Sequence, residues 1–198
     1  MALLKSNEKI SDNKFVKESI EWMESIVLSV FVIVIIFTFA IRFVGVSGTS
    51  MLNTFQNGDR LIIQKIGYTP KAGDVVVLSR SYLPMDNPDS TEPIIKRIIA
   101  VGGQTVEIRS ETGEVYVDGE LLQEDYIVGK TVVSANGSMA ESYVVKVPED
   151  HLFVMGDNRE VSKDSRNPAV GTINKNYVLG KAILRVFPLE SFATSKEW

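Results

Sequence analysis

From Trp22 to Ile41 the chain is almost wholly apolar, and Ser29 alone interrupts the central stretch from Ile26 to Phe37. About 20 such residues cross a bilayer core as a helix. In water the β-branched side chains of this run would favour a strand, but in lipid a helix prevails because it satisfies its own backbone hydrogen bonds. The pattern predicts a transmembrane anchor over residues 22–41, apolar on all faces and beyond what a domain of this size can cover. A cleaved secretory signal competes with this reading, since Gly45 and Ser47 are small residues at the spacing of a cleavage site. The length of the run and the interruption by Arg42 favour the anchor.

Beyond the run the hydrophobic pattern changes. Short β-branched segments bounded by Gly, Pro or Asp predict strands at Asp59–Lys65, Asp74–Leu78, Lys96–Val101, Thr105–Ile108, Gly113–Glu120, Tyr143–Val147, His151–Met155 and Gly180–Val186. Asp118-Gly119 is a hairpin-turn pair. Residues 81–93, rich in Pro, Asp, Asn and Ser, and residues 132–142 predict loops. Helical periodicity is scarce, so residues 42–198 are expected to be mainly β.

Composition narrows the chemistry. The 198 residues contain no cysteine, which removes disulfides and a thiol nucleophile, and one histidine, too few for the usual multi-histidine zinc site. No metal and no cofactor are expected. A net charge of -4 gives no electrostatic reason to expect nucleic acid as a partner. Residues 1–21 form a polar tail whose Lys5, Lys9, Lys14 and Lys17 outnumber the basic residues just after the apolar run, Arg42 and Arg60. By that asymmetry the tail stays in the cytoplasm and residues 42–198 lie outside.

Phosphate-loop, Gly-x-Ser-x-Gly and His-Glu-x-x-His patterns are absent from the sequence. A Ser-His-Asp triad would need His151, which reads better as an exposed residue at a turn edge. Serine with lysine remains. A serine hydroxyl needs a neighbour that takes its proton, and a lysine serves only when its amine is neutral, a state that burial among apolar side chains favours. Ile94-Ile95-Lys96-Arg97-Ile98-Ile99 supplies such surroundings, and on a strand Lys96 would face the site while Arg97 faces water or a carboxylate. On this segment alone an exposed lysine on a half-buried strand would be the plainer reading.

Three segments in order change that balance: Gly48-Thr49-Ser50-Met51-Leu52-Asn53-Thr54, Ile95 to Gly103, and Gly156-Asp157-Asn158-Arg159-Glu160-Val161-Ser162-Lys163-Asp164-Ser165-Arg166. Together they resemble the type I signal peptidases over most of the chain from the anchor to Leu189. The resemblance implies a signal-peptidase-like β-barrel catalytic domain at residues 42–198 with a small inserted cap at about 109–142, in the compact form found in Gram-positive bacteria. It implies Ser50 as nucleophile and Lys96 as general base, with Ser162 hydrogen-bonding the lysine amine and Asp164 and Arg166 as a supporting ion pair. Asp157, Asn158 and Arg159 would form a structural turn near the site. Val44, Val46, Met51 and Ile95 would line pockets for small substrate side chains. Asn53 stands where the usual Ser-Met-x-Pro-Thr pattern has proline, which would loosen a turn, and Gly103-Gln104 departs from the turn many relatives carry after the lysine strand. Gly48 stands where some relatives carry a serine that donates to the oxyanion, leaving the Ser50 N–H as the expected donor.

The expected activity is a membrane-anchored serine endopeptidase that removes signal peptides from exported preproteins. Its partners would be those preproteins and the lipid bilayer. A self-cleaving repressor of the LexA type shares the chemistry but would need a DNA-binding domain in place of the apolar run. A catalytically silent relative assisting assembly of surface or pilus proteins is the non-enzyme alternative, against which the presence of Ser50, Lys96 and Ser162 together counts.

Overall fold

Lys17, Glu18 and Glu21 are good helix formers and sit directly ahead of the apolar run, and helix α1 takes in both, from Lys14 to Phe39. It is seen in a computed structural model that describes residues 14–39, 41–79, 81, 92–135, 138–189, 192–194 and 198. The helix thus begins inside the segment read as a tail; residues 1–13 of that tail lie outside the described residues, as does most of the expected 81–93 loop. Large apolar side chains from Trp22 to Ile35 are exposed on α1. Among the described residues no helix is long and apolar enough to cross a membrane.

The chain divides into two compact units, residues 1–41 and 42–198. In chain order the strands are β1 (Ile41–Gly45), β2 (Arg60–Gln64), β3 (Val75–Leu78), β4 (Ile94–Val101), β5 (Thr105–Arg109), β6 (Glu114–Val117) and β7 (Glu120–Leu121). Then follow β8 (Ser134–Ala135), β9 (Ser138–Met139), β10 (Ser142–Lys146), β11 (His151–Met155), β12 (Ile173–Asn174), β13 (Val178–Phe187) and β14 (Ala193–Thr194). The main sheet runs β1-β2-β13-β3-β4-β11-β12, with β14 also on β13, and a four-stranded sheet runs β10-β5-β6-β7. β8 and β9 pair only with each other, inside the segment expected as a loop.

The expected barrel is not closed. Register shifts where β13 meets β2 and β3, and where β11 meets β4, bend the main sheet, as bulges do. Closure would require the end strands to pair. Instead β1 and β12 remain edges, and β12 offers only two residues, both used on β11.

β4 is the strand that matters for chemistry. It lies between β3 and β11, and Ile95 through Ala100 are all buried, so both of its faces are covered. Ile95 packs with Val46, Met51, Phe55, Leu61 and Ile63, while Ile98 packs with Val76, Leu78 and Val154. The second sheet contributes a separate core around Val106, Ile108 and Val115, closed by Phe153 and Met155 of β11.

Candidate active site

Ser50 sits in a tight turn just after β1. Leu52 N bonds the Thr49 carbonyl at 3.2 Å, and Phe55 N bonds the Met51 carbonyl at 2.8 Å. Met51 and Phe55 are buried and fasten the turn to the core. Asn53 has φ 81°, a left-handed conformation that asparagine tolerates and that proline, locked near -65°, cannot take. The turn in this chain therefore has a backbone at position 53 that proline could not adopt.

Lys96, 4% exposed, reaches this turn from the centre of the main sheet. Its Nζ lies 2.6 Å from Ser50 Oγ and 3.1 Å from the Ile95 carbonyl oxygen. Burial brings its pKa down from 10.5 to about 8, against the pull of the Asp164 and Asp157 carboxylates and with a smaller push from the Arg166 guanidinium. A neutral amine at this distance can accept the serine proton.

The segment Gly156–Arg166 follows β11 and packs against both residues' neighbours. Asn158 N bonds the Ser50 carbonyl at 3.0 Å, and Asn158 Nδ2 bonds the Thr49 carbonyl at 3.2 Å, so this turn holds the serine backbone directly. Arg166 grips Asp164 through Nε at 2.8 Å and Nη2 at 2.9 Å, and Gly156 N donates to the same carboxylate at 3.0 Å. Burial would raise the Asp164 carboxyl, but the Arg166 bonds and charge outweigh it and hold the group below the usual carboxylate range. A side chain on Gly156 would collide with Ser162 Oγ and the Ser50 carbonyl oxygen, so only glycine permits this close approach.

The expected bond from Ser162 to the lysine amine is not made. Ser162 Oγ is buried over Gly156 and acts on the Asp164 carboxylate, which it helps to hold low, while the amine is turned to Ser50 and Ile95. Arg97, the neighbour of Lys96, is buried and meets a carboxylate: its Nε and Nη2 bond Asp157 at 2.9 and 2.7 Å, and Thr54 bonds Asp157 as well. His151 is half-buried at the start of β11, opposite Asn174, rather than exposed, because pairing with β12 covers it.

Val44 and Val46 line a groove of about 400 Å³ together with Phe43, Gly45, Ser47, Glu92 and Pro93. Met51 and Ile95 are in the core cluster that includes Val46. The groove follows β1, an edge of the main sheet.

Glu124 and Tyr126 join the site without any signal in the sequence. Glu124 pairs with Arg159, and the Tyr126 ring lies 3.8 Å from the Arg97 guanidinium carbon. Nothing in Gln123-Glu124-Asp125-Tyr126-Ile127 differs from an ordinary surface segment until the fold brings it across 33 residues to Asp157 and its neighbours.

The sequence pattern of the signal peptidase family, peptidase S26, matches residues 19–187. The chain is 38% identical to a probable signal peptidase I-1 of Synechocystis over 70% of its length and 67% of that protein. It is 34% identical to a signal peptidase I of Bacillus licheniformis over 91% of its length and 95% of that protein. With signal peptidase I P of Bacillus subtilis subsp. natto it shares 31% identity over 89% of its length and 94% of that protein.

Proposed function

The chain belongs to the signal peptidase family, peptidase S26, and from that membership we propose that it removes N-terminal signal peptides from exported preproteins, using Ser50 and Lys96. The observation that carries the assignment of residues is the 2.6 Å contact between Nζ of the buried Lys96 and Oγ of the half-buried Ser50. Lys96 takes the serine proton as Oγ attacks the scissile carbonyl, and an acyl-enzyme forms when the ammonium returns that proton to the leaving amine. Neutral Lys96 then takes a proton from water, whose oxygen attacks the ester, and its ammonium returns that proton to Ser50 Oγ as the ester bond breaks. The backbone N–H of Ser50 is the assigned oxyanion donor. Asp164 and Arg166 brace the turn against which the serine backbone rests, and the buried Ser162 hydroxyl beside Asp164 is the group assigned to steady the amine during turnover.

The open edge of β1 and its groove support binding of the substrate as an added strand, with small side chains at Val44 and Val46. α1 with residues 22–41 serves in this reading as the membrane anchor, tail inside and residues 42–198 outside. Protease added to intact cells is expected to remove a C-terminal tag; a tag protected until the membrane is opened contradicts that orientation.

Ser50→Ala and Lys96→Ala are each expected to abolish cleavage of a purified preprotein while the protein stays folded by circular dichroism, because nucleophile and base act as one unit. Near-normal cleavage by either folded variant overturns the assignment.

A further inference from the structure

The segment from Glu124 to Val133 runs along the turn that carries Asp157, Asn158 and Arg159. Val128 N bonds the Asp157 carbonyl and Arg159 N bonds the Val128 carbonyl, both at 2.9 Å, forming a parallel bridge between Val128 and Asn158. Glu124 pairs with both terminal nitrogens of Arg159, whose side chain is fully buried. Within this strap the Tyr126 ring covers Arg97, and Arg97 is the residue next to Lys96 on β4.

We propose that Tyr126 is a positioning residue for the peptidase reaction: its ring keeps the Arg97–Asp157 pair closed and dry, so that the Asp157 carboxylate stays neutralised near Lys96. This rests on the Ser50–Lys96 reading above. The geometry leaves the guanidinium little freedom, since two nitrogens engage Asp157 and Nη1 engages the Gly73 carbonyl at 3.1 Å. The ring closes over its face, and a desolvated cation on an aromatic face is held more firmly than an exposed one. A cleft of about 250 Å³ lined by Asn53, Thr54, Asp125, Tyr126 and Arg185 lies at the other side of that cover, which is where water would enter if the ring were lost.

The charged groups acting on Lys96 are Asp164, Asp157 and Arg166, and those around Tyr126 are Glu124, Arg97, Arg159 and Asp157. Burial first, and Glu124 second, push the Tyr126 hydroxyl well above its ordinary range, so it stays neutral where the lysine titrates. Opening the pair would both admit water and free a negative charge. Each change favours the ammonium form of Lys96 and raises its pKa.

The test compares Tyr126→Leu with Tyr126→Phe. Leucine keeps bulk but has no ring; phenylalanine keeps the ring. For Tyr126→Leu the ascending limb of the kcat profile is expected to move alkaline by about one pH unit, which lowers kcat about tenfold below the limb, with KM little changed and recovery at high pH. Tyr126→Phe should return the limb to the wild-type position. A folded leucine variant with an unmoved limb, or with kcat lowered equally at every pH, overturns the proposal; if leucine does not fold, Tyr126→Met carries the same comparison. Loss of the Ser50–Lys96 reading is a separate outcome, seen as cleavage by Ser50→Ala or Lys96→Ala.

Discussion

On β4, Arg97 holds Asp157 at 2.7 Å with side chains 2% and 0% exposed, whereas on β5 Arg109 holds Glu107 at the same 2.7 Å with side chains 48% and 34% exposed. The contacts are alike in length and chemistry, and their surroundings separate them. In the main sheet two charges have been taken out of water, so each depends on the other, and removing one leaves an uncompensated charge in the interior. In the second sheet water and salt screen the pair, and its loss is replaced by hydration. The same contrast divides the lysines of the main sheet. Lys181 reaches Asp74 at 2.6 Å and is partly exposed, as a structural ion pair, while Lys96 is buried with a serine hydroxyl and a carbonyl as its neighbours. Distance alone does not tell which charge is structural and which is chemical; burial and the nature of the neighbour do.

Arg97→Ala removes the interior pair and carries the largest expected loss. It should cost about 3–5 kcal/mol by leaving Asp157 buried and unpaired, which lowers the melting temperature by roughly 10 °C for a domain of this size, as calorimetry or circular dichroism would read. A small loss would mean that water reaches Asp157 and that the pair is not an interior one.

Lys96 responds to pH rather than to the loss of a partner. Because burial lowers Lys96 to about 8, the neutral base accumulates as pH rises through that value, and preprotein cleavage should climb to a plateau there rather than near 10.5. The sign for stability is the same. Between about 8 and 10.5 the unfolded chain binds the lysine proton and the folded one does not, so stability rises with pH across that window, and the cost of burying the amine is fully present below it. Rates that keep rising to the free-lysine range would count against a desolvated base.

The smallest expected effect is the counterpart on the second sheet. Arg109→Ala should leave both the cleavage rate and the melting temperature close to wild type, since the guanidinium is exposed and its partner Glu107 keeps its hydration. A shift like that of Arg97→Ala would remove the distinction between the two sheets.

Much of the fold is legible along the chain where a strand carries its own pattern. β2, β3, β5, β11 and β13 fall where β-branched runs between turn residues place them, and the Asp118-Gly119 turn separates β6 from β7, with positive φ at both residues. β1, β12 and β14 are not legible: their few residues become strands by pairing with neighbours that sequence does not identify. Closure of the sheet is a similar matter, because it depends on whether β1 meets β12. In the site, the residue types of Ser50, Lys96, Asp164 and Arg166 and their order are readable, while Glu124 and Tyr126 have no readable sign. The orientation of Ser162 also differs from expectation, since it is set by what packs against it.

By itself the sequence determined the apolar run, the mainly β character of residues 42–198, the absence of thiol chemistry and the three segments that mark the family, because these depend on local composition, periodicity and order. Only the tertiary structure decided that Lys96 is buried beside Ser50, that Arg97 is neutralised by Asp157 under the Tyr126 ring, and that the sheet stays open. The reason is physical. Desolvation and charge neutralisation are properties of what surrounds a side chain, and those surroundings come from residues that lie 46 and 60 positions away in the chain.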